Sequence, residues 1–174
     1  MTMSDLKEQL AETKILGVDL PDAVTIAGGV GNALAVEHLN TPEGVVATTL
    51  TLSTDLFDGR LARFLGIANS PRLDKYVDRA KELNTIRGMV REGVLPAELP
   101  VAGYTLRAVS KLRPDRDNTL LGESAMNIKD VAFMCALGSL LFPEESDARR
   151  RLSGTAQGLG WISVALGTTN LLAK

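Results

Sequence analysis

The sequence predicts an all-α fold: a bundle of six transmembrane helices behind a short N-terminal amphipathic helix, with residues 1–174 forming a single domain. Three observations predict it. Strand-like alternation is weak while Ala, Leu and Gly are abundant, which favours helix over sheet. Small residues recur four apart, as in Ala23, Ala27 and Gly31, in Gly29 and Ala33, and in Gly154 and Gly158. That spacing lets helix backbones approach closely in lipid, whereas in water a helical Gly costs about 1 kcal/mol and wants a reason. Finally, the charge of the connections alternates. Residues 37–44 and 93–100 hold no Lys or Arg, while those near 60–81 and 107–116 hold many. Six spans with both termini inside satisfy the positive-inside tendency.

The opening "MTMSDLKEQLAETKIL" lacks the basic start and apolar core of a secretory leader. It reads as an amphipathic helix capped by Ser4, with Leu6 and Leu10 on one face and Lys7, Glu8 and Glu12 on the solvated one. Six helical segments follow, roughly 22–37, 44–66, 73–92, 100–113, 124–142 and 154–173. They are punctuated by Pro21, Thr41-Pro42, Pro71, Pro96 and Pro100, Pro114 and Pro143. A span needs about 20 mostly apolar residues. Residues 152–173 meet that length without a charge, and 23–36 are uncharged but short. The segment 73–92 argues against lipid contact, because Asp78, Arg79, Lys81, Glu82, Arg87, Arg91 and Glu92 surround the helix. Arg149, Arg150 and Arg151 read as a solvated loop on the outer side. Trp161 and the uncharged last helix read as the lipid-facing side rather than as chemistry.

Composition narrows the function. At 45% hydrophobic residues the chain is too apolar for disorder, and a net charge of −2 without a basic tract argues against a nucleic-acid partner. The single cysteine, Cys135, lies in the apolar run "VAFMCALG", so an intrachain disulfide is impossible and a thiolate site is a poor candidate. With His38 as the sole histidine, a His/Cys zinc site and a Ser-His-Asp triad are poor candidates too. "GGVG" at 28–31 lacks the full glycine-rich phosphate fingerprint and a preceding strand, and reads as helix packing.

The informative stretch is "TDLFDGRLARFLGIANSPRLDKYVDRAKEL", residues 54–83. Asp55 and Asp58 stand three apart and share one helical face, and Asp74 and Asp78 stand four apart and share another. If the two helices pack antiparallel across the turn near 68–72, four carboxylates converge. Unpaired, such acids would repel, and bound cations would relieve them.

"D55LFD58G59RLA62R63" followed by "D74KYVD78" resembles the signature of the CDP-alcohol phosphatidyltransferases. That signature is Asp-x-x-Asp-Gly-x-x-Ala-Arg, eight residues, Gly, three residues, Asp, three residues, Asp. Seven of its eight fixed residue types are present here. "P21DAVT25" is similar to the Pro-Asn-x-x-Thr opening of the family's first helix. "Y104TLRAVSKLR113" is similar to its basic fourth helix, and "G122ESAMNIK129" to the entry of its fifth. This chain departs from the pattern in having two fewer residues between Arg63 and Asp74, Ser70 in place of Gly, and Asp22 in place of Asn. The Arg usual shortly after Thr25 is absent.

The resemblance implies transfer of a phosphatidyl or related group from a CDP-linked lipid donor to a small alcohol acceptor, releasing CMP in phospholipid synthesis. It implies a multi-pass cell-membrane protein with its active site on the cytoplasmic side, in a family that is often homodimeric. It also implies Mg²⁺ or Mn²⁺, hard cations that take carboxylate and phosphate oxygens. By the same likeness Asp55, Asp58 and Asp74 are the main metal ligands, and Asp78 is the general base for the acceptor hydroxyl and a further metal contact. Gly59 and Ala62 would leave room for the nucleotide, with Arg63 and Thr25 donating to it. By rough position Arg107, Lys111, Arg113 and Lys129 are candidates for an acceptor-phosphate pocket. The alternative reading is a non-catalytic helical membrane or membrane-surface protein derived from that fold.

Overall fold

A computed structural model describes residues 2–67, 70–111 and 120–173, with the side chains at 55, 56, 59 and 71 outside the description. Among the described residues eight helices follow in order: α1 Met3–Glu12, α2 Leu20–Val36, α3 Pro42–Leu52, α4 Thr54–Leu65, α5 Pro71–Arg91, α6 Glu98–Ser110, α7 Leu120–Ser139 and α8 Asp147–Leu172. Between α1 and α2 lies a small antiparallel hairpin, β1 Lys14–Ile15 and β2 Val18–Asp19, pairing Lys14 with Asp19 and Ile15 with Val18. Its two-residue turn is Leu16-Gly17, with φ of 54° and 81°, the positive values that such turns demand.

The helical class is as the sequence predicts, but the six-span transmembrane bundle is not. Among the described residues no helix is long and apolar enough to cross a membrane. The multi-pass cell-membrane location, with its cytoplasmic-side active site, is corrected with it. The reason lies in each segment. The expected helix 44–66 is two helices of 11 and 12 residues, α3 and α4, parted at Ser53. There Ser53 Oγ donates to the Thr49 carbonyl and Thr54 Oγ1 to the Thr51 carbonyl. Helices α2 and α6 have only 17 and 13 residues. Helix α5 is charged throughout, and α7 carries Glu123, Lys129 and Asp130. In α8 the uncharged stretch 152–173 is long enough, but half of its residues are Gly, Ser, Thr, Gln or Asn.

Two compact units divide the chain. The first comprises Met1–Leu39 and Glu43–Thr85, the second Asn40–Pro42 and Ile86–Lys174. In the first unit α1 is capped by Thr2 rather than Ser4. Thr2 Oγ1 accepts from the Asp5 amide at 3.2 Å while Asp5 Oδ2 accepts from the Thr2 amide at 2.7 Å. The Thr2 amide first, and then the Thr2 hydroxyl, hold the Asp5 carboxyl below its ordinary 3.8. The Lys7 ammonium lies 5.8 Å from the Phe64 ring centroid, so α1 touches α4. Helix α4 ends at Gly66, whose φ of 70° is the left-handed cap that glycine favours. Ala35, Val36, Leu39, Val45, Ala62 and Leu65 form the apolar part of this unit's core.

In the second unit α8 packs on α7 and α6. Ser163 Oγ donates to the Ala125 carbonyl at 2.7 Å, and Gln157 Nε2 to the Val94 carbonyl at 3.2 Å. The small residues that allow close approach here include Gly160, against the Leu99 side chain, and not Gly154 or Gly158, which face open space. The arginine run is not a loop: it lies in the first turns of α8, where Arg149 donates to the Glu92 carbonyl at 3.2 Å and Arg150 pairs with Asp147 at 2.8 Å. Met89, Val94, Leu95, Leu99, Ala125, Ala132, Ala136, Leu137, Leu140 and Ala156 are buried in this unit.

Candidate functional site

Some of the residues singled out by sequence lie in the first unit, on α2, α4 and α5. Thr25, on α2, is 1% exposed, and its Oγ1 lies 2.6 Å from Asp58 Oδ2 and 3.3 Å from the Pro21 carbonyl. A hydroxyl has one proton, and the short contact to a carboxylate takes it. Asp58 is itself only 1% exposed. Burying a carboxylate is costly without such donors, so Thr25 is part of what keeps Asp58 folded inside.

A second contact ties α4 to α5. Lys81 is 1% exposed, and its ammonium lies 3.2 Å from Asp78 Oδ1 and donates to Thr54 Oγ1 at 3.2 Å. The Thr54 proton is already engaged by the Thr51 carbonyl at 2.7 Å, which leaves its oxygen lone pairs for Lys81. Gly28 makes room for this arrangement: a Cβ there would strike Thr54 Oγ1 and lie 3.0 Å from Thr54 Cβ. Asp78 keeps 39% of its side chain exposed while Oδ1 is turned inward to Lys81. Asp74, in the first turn of α5, is half-buried with Oδ1 inside.

The start of α5 is latched to the start of α2. Asp22 Oδ1 accepts from the Ser70 amide at 2.9 Å. Both residues were departures from the family pattern, and here they answer each other. Deeper along the same helices, Asn32 Nδ2 donates to Thr85 Oγ1 at 3.1 Å and to Thr51 Oγ1 at 3.3 Å.

Ala62 is buried at 7% exposure on α4, and Arg63 is exposed in that helix's last turn, where a cation suits the helix dipole. The expected ligand Asp55 and the expected nucleotide contact Gly59 lie on α4 with side-chain positions outside the described residues, as does Arg113 altogether. Arg107, Lys111 and Lys129 belong to the second unit. The first two stand one turn apart at the end of α6, and Lys129 lies 3.6 Å from its neighbour Asp130.

The expected metal cage of Asp55, Asp58, Asp74 and Asp78 is described only in part, because the Asp55 side chain lies outside the described residues. Among the described residues no group of three or more His, Cys, Asp or Glu side chains could hold a metal ion. Two of the three described aspartates are engaged by other side chains: Asp58 by Thr25 and Asp78 by Lys81. A multi-carboxylate Mg²⁺ or Mn²⁺ centre calls for convergent oxygens.

Sequence reasoning missed Lys81, Thr54 and Asp22. Lys81 had a signal, since it lies three residues after Asp78 and therefore on the same helical face. No protein-family model matches the chain, and no curated protein or solved structure matches it either.

Proposed function

We propose that the chain transfers a substituted phosphate group from a CDP-linked lipid donor to a small alcohol and releases CMP. One observation carries the reading. Thr25 and Asp58 come from separate segments of the family-like pattern, 33 residues apart, and meet as a buried 2.6 Å hydrogen bond. A pattern that were only a solvated helical face would not bury its acid against a second element of the same pattern.

In this reading the acceptor oxygen attacks the phosphorus attached to the lipid, the P–O bond to CMP breaks, and the acceptor proton passes to Asp78. Asp78 suits that role because part of its carboxylate is open to solvent. The exposed Arg63 guanidinium offers paired donors to the donor phosphates, and the small Ala62 keeps the α4 surface low. Mg²⁺ or Mn²⁺ belongs to the proposal through the resemblance alone, and no step is assigned to it.

A second reading is a non-catalytic, membrane-surface helical protein derived from that fold. The Lys81–Asp78 contact favours it, since an ammonium there competes for the proposed base. One assay separates the two. CMP release from a CDP-linked lipid in mixed micelles is measured over a panel of alcohols, with Mg²⁺, with Mn²⁺ and with chelator. The transferase reading expects release by the wild type and a fall of about 10²-fold or more in Asp78→Asn. Equal release by both proteins overturns it and leaves the second reading.

A further inference from the structure

We propose that Lys81 is the resident cation of Asp78: its ammonium occupies that carboxylate and keeps a divalent ion from using it. The inference goes beyond the transfer reading and does not depend on turnover.

The lysine is built in rather than incidental. It is 1% exposed, and an ammonium removed from water persists only where charge and hydrogen bonds compensate it. Both are provided. Asp78 Oδ1 supplies the charge at 3.2 Å. Thr54 Oγ1 supplies the hydrogen bond at 3.2 Å, and Thr54 is itself fixed as an acceptor because it donates to the Thr51 carbonyl at 2.7 Å. The absence of a side chain at Gly28 leaves Thr54 its place. Residues from four helices, Gly28, Thr51, Thr54 and Asp78, thus contribute to holding the ammonium in place.

Among the described residues no group of three or more His, Cys, Asp or Glu side chains could hold a metal ion. A Mg²⁺ or Mn²⁺ ion bound to Asp78 Oδ1 would sit within about 5 Å of the Lys81 ammonium. A double and a single positive charge at that distance repel strongly in a partly buried site. Lysine and divalent ion therefore compete for one oxygen.

The test is Mn²⁺ binding to the purified full chain, read by electron paramagnetic resonance of free Mn²⁺ and by calorimetry. Lys81→Met keeps the stem and removes the charge. It is expected to bind Mn²⁺ at least about tenfold more tightly than the wild type, while Lys81→Arg, which keeps the charge, stays near the wild type. Adding Asp78→Asn to Lys81→Met should abolish the gain. A lysine serving only as a packing strut would leave Mn²⁺ affinity unmoved. Equal affinity of wild type and Lys81→Met overturns the proposal, as does a gain that survives Asp78→Asn. If Lys81→Met does not fold, the wild type decides: its melting temperature should not respond to millimolar Mn²⁺ or to chelator, and a clear rise with Mn²⁺ overturns the inference. None of these readouts uses CMP release, so the transfer reading can fail separately.

Discussion

In the first unit the helices meet through buried polar groups, whereas in the second they meet through hydrocarbon and side-chain bonds to backbone carbonyls. Asp58, Lys81, Thr25, Asn32, Thr48 and Thr85 are all buried on one side of this contrast. On the other stand Met89, Leu137, Leu140 and a row of buried alanines. Apolar burial stabilises without demanding geometry, while buried charge stabilises only when every partner is in place. The first unit therefore depends more on the precise placement of buried polar partners than the second does.

That contrast can be broken most forcefully in the second unit. Leu137 is 2% exposed, and Leu137→Ala should cost about 2–5 kcal/mol in urea unfolding. A loss well under 1 kcal/mol would show that the alanine-lined core collapses around the gap. In the first unit, Thr25→Val keeps shape and removes the donor to Asp58, with an expected cost of about 1.5–3 kcal/mol. Combined with Asp58→Asn, the double variant should lose less than the sum, because both changes remove one interaction.

A gain is expected elsewhere in the same unit. Thr48 is fully buried, and its Oγ1 has no hydrogen-bond partner among the described residues. Thr48→Val exchanges that hydroxyl for a methyl of similar shape and should stabilise by about 1 kcal/mol, seen as a raised urea midpoint at constant slope. The smallest effect compares two glycines. Alanine at either Gly28 or Gly160 gains about 1 kcal/mol of helix propensity. At Gly160 the obstacle is the far end of Leu99, which can rotate away, so Gly160→Ala should be close to neutral. At Gly28 it is the β-branched Thr54, held by Thr51 and Lys81, so Gly28→Ala should be worse by about 1 kcal/mol. Equal melting temperatures would remove the distinction between a stiff and a pliable neighbour.

Much of the helical order was legible from breakers and small residues. Pro21 and Pro42 stand at helix starts, and the charged stretch 73–92 is a single long helix, α5. The break at Ser53 was not legible, because Ser and Thr are tolerated inside helices until their hydroxyls turn back onto the preceding carbonyls. The hairpin at 14–19 was missed because two-residue strands leave no periodicity. Four-residue spacing of small residues was taken as a mark of lipid, yet Gly29 and Gly31 lie against Val77 and Thr51 while, among the described residues, no helix is long and apolar enough for a bilayer. At the site, Thr25 was named as a nucleotide contact and Asp58 as a metal ligand, and the two side chains are hydrogen-bonded to each other. Their mutual bond was not foreseen, since a pattern of likeness says which residues belong together and not which atoms face each other. Lys81 was counted as one more charge on a polar helix because its burial depends on tertiary packing.

The Asp22–Ser70 bond joins residues 48 apart, and it spans the chain that must also bring Thr25 to Asp58. Closing so long a loop loses entropy before any contact is made, whereas each helix forms locally within microseconds. The polar cluster is thus expected to be among the last parts to form as the chain folds, with kinetic φ-values near zero at Thr25 and Asp22. A half-folded chain would carry its helices and no assembled cluster.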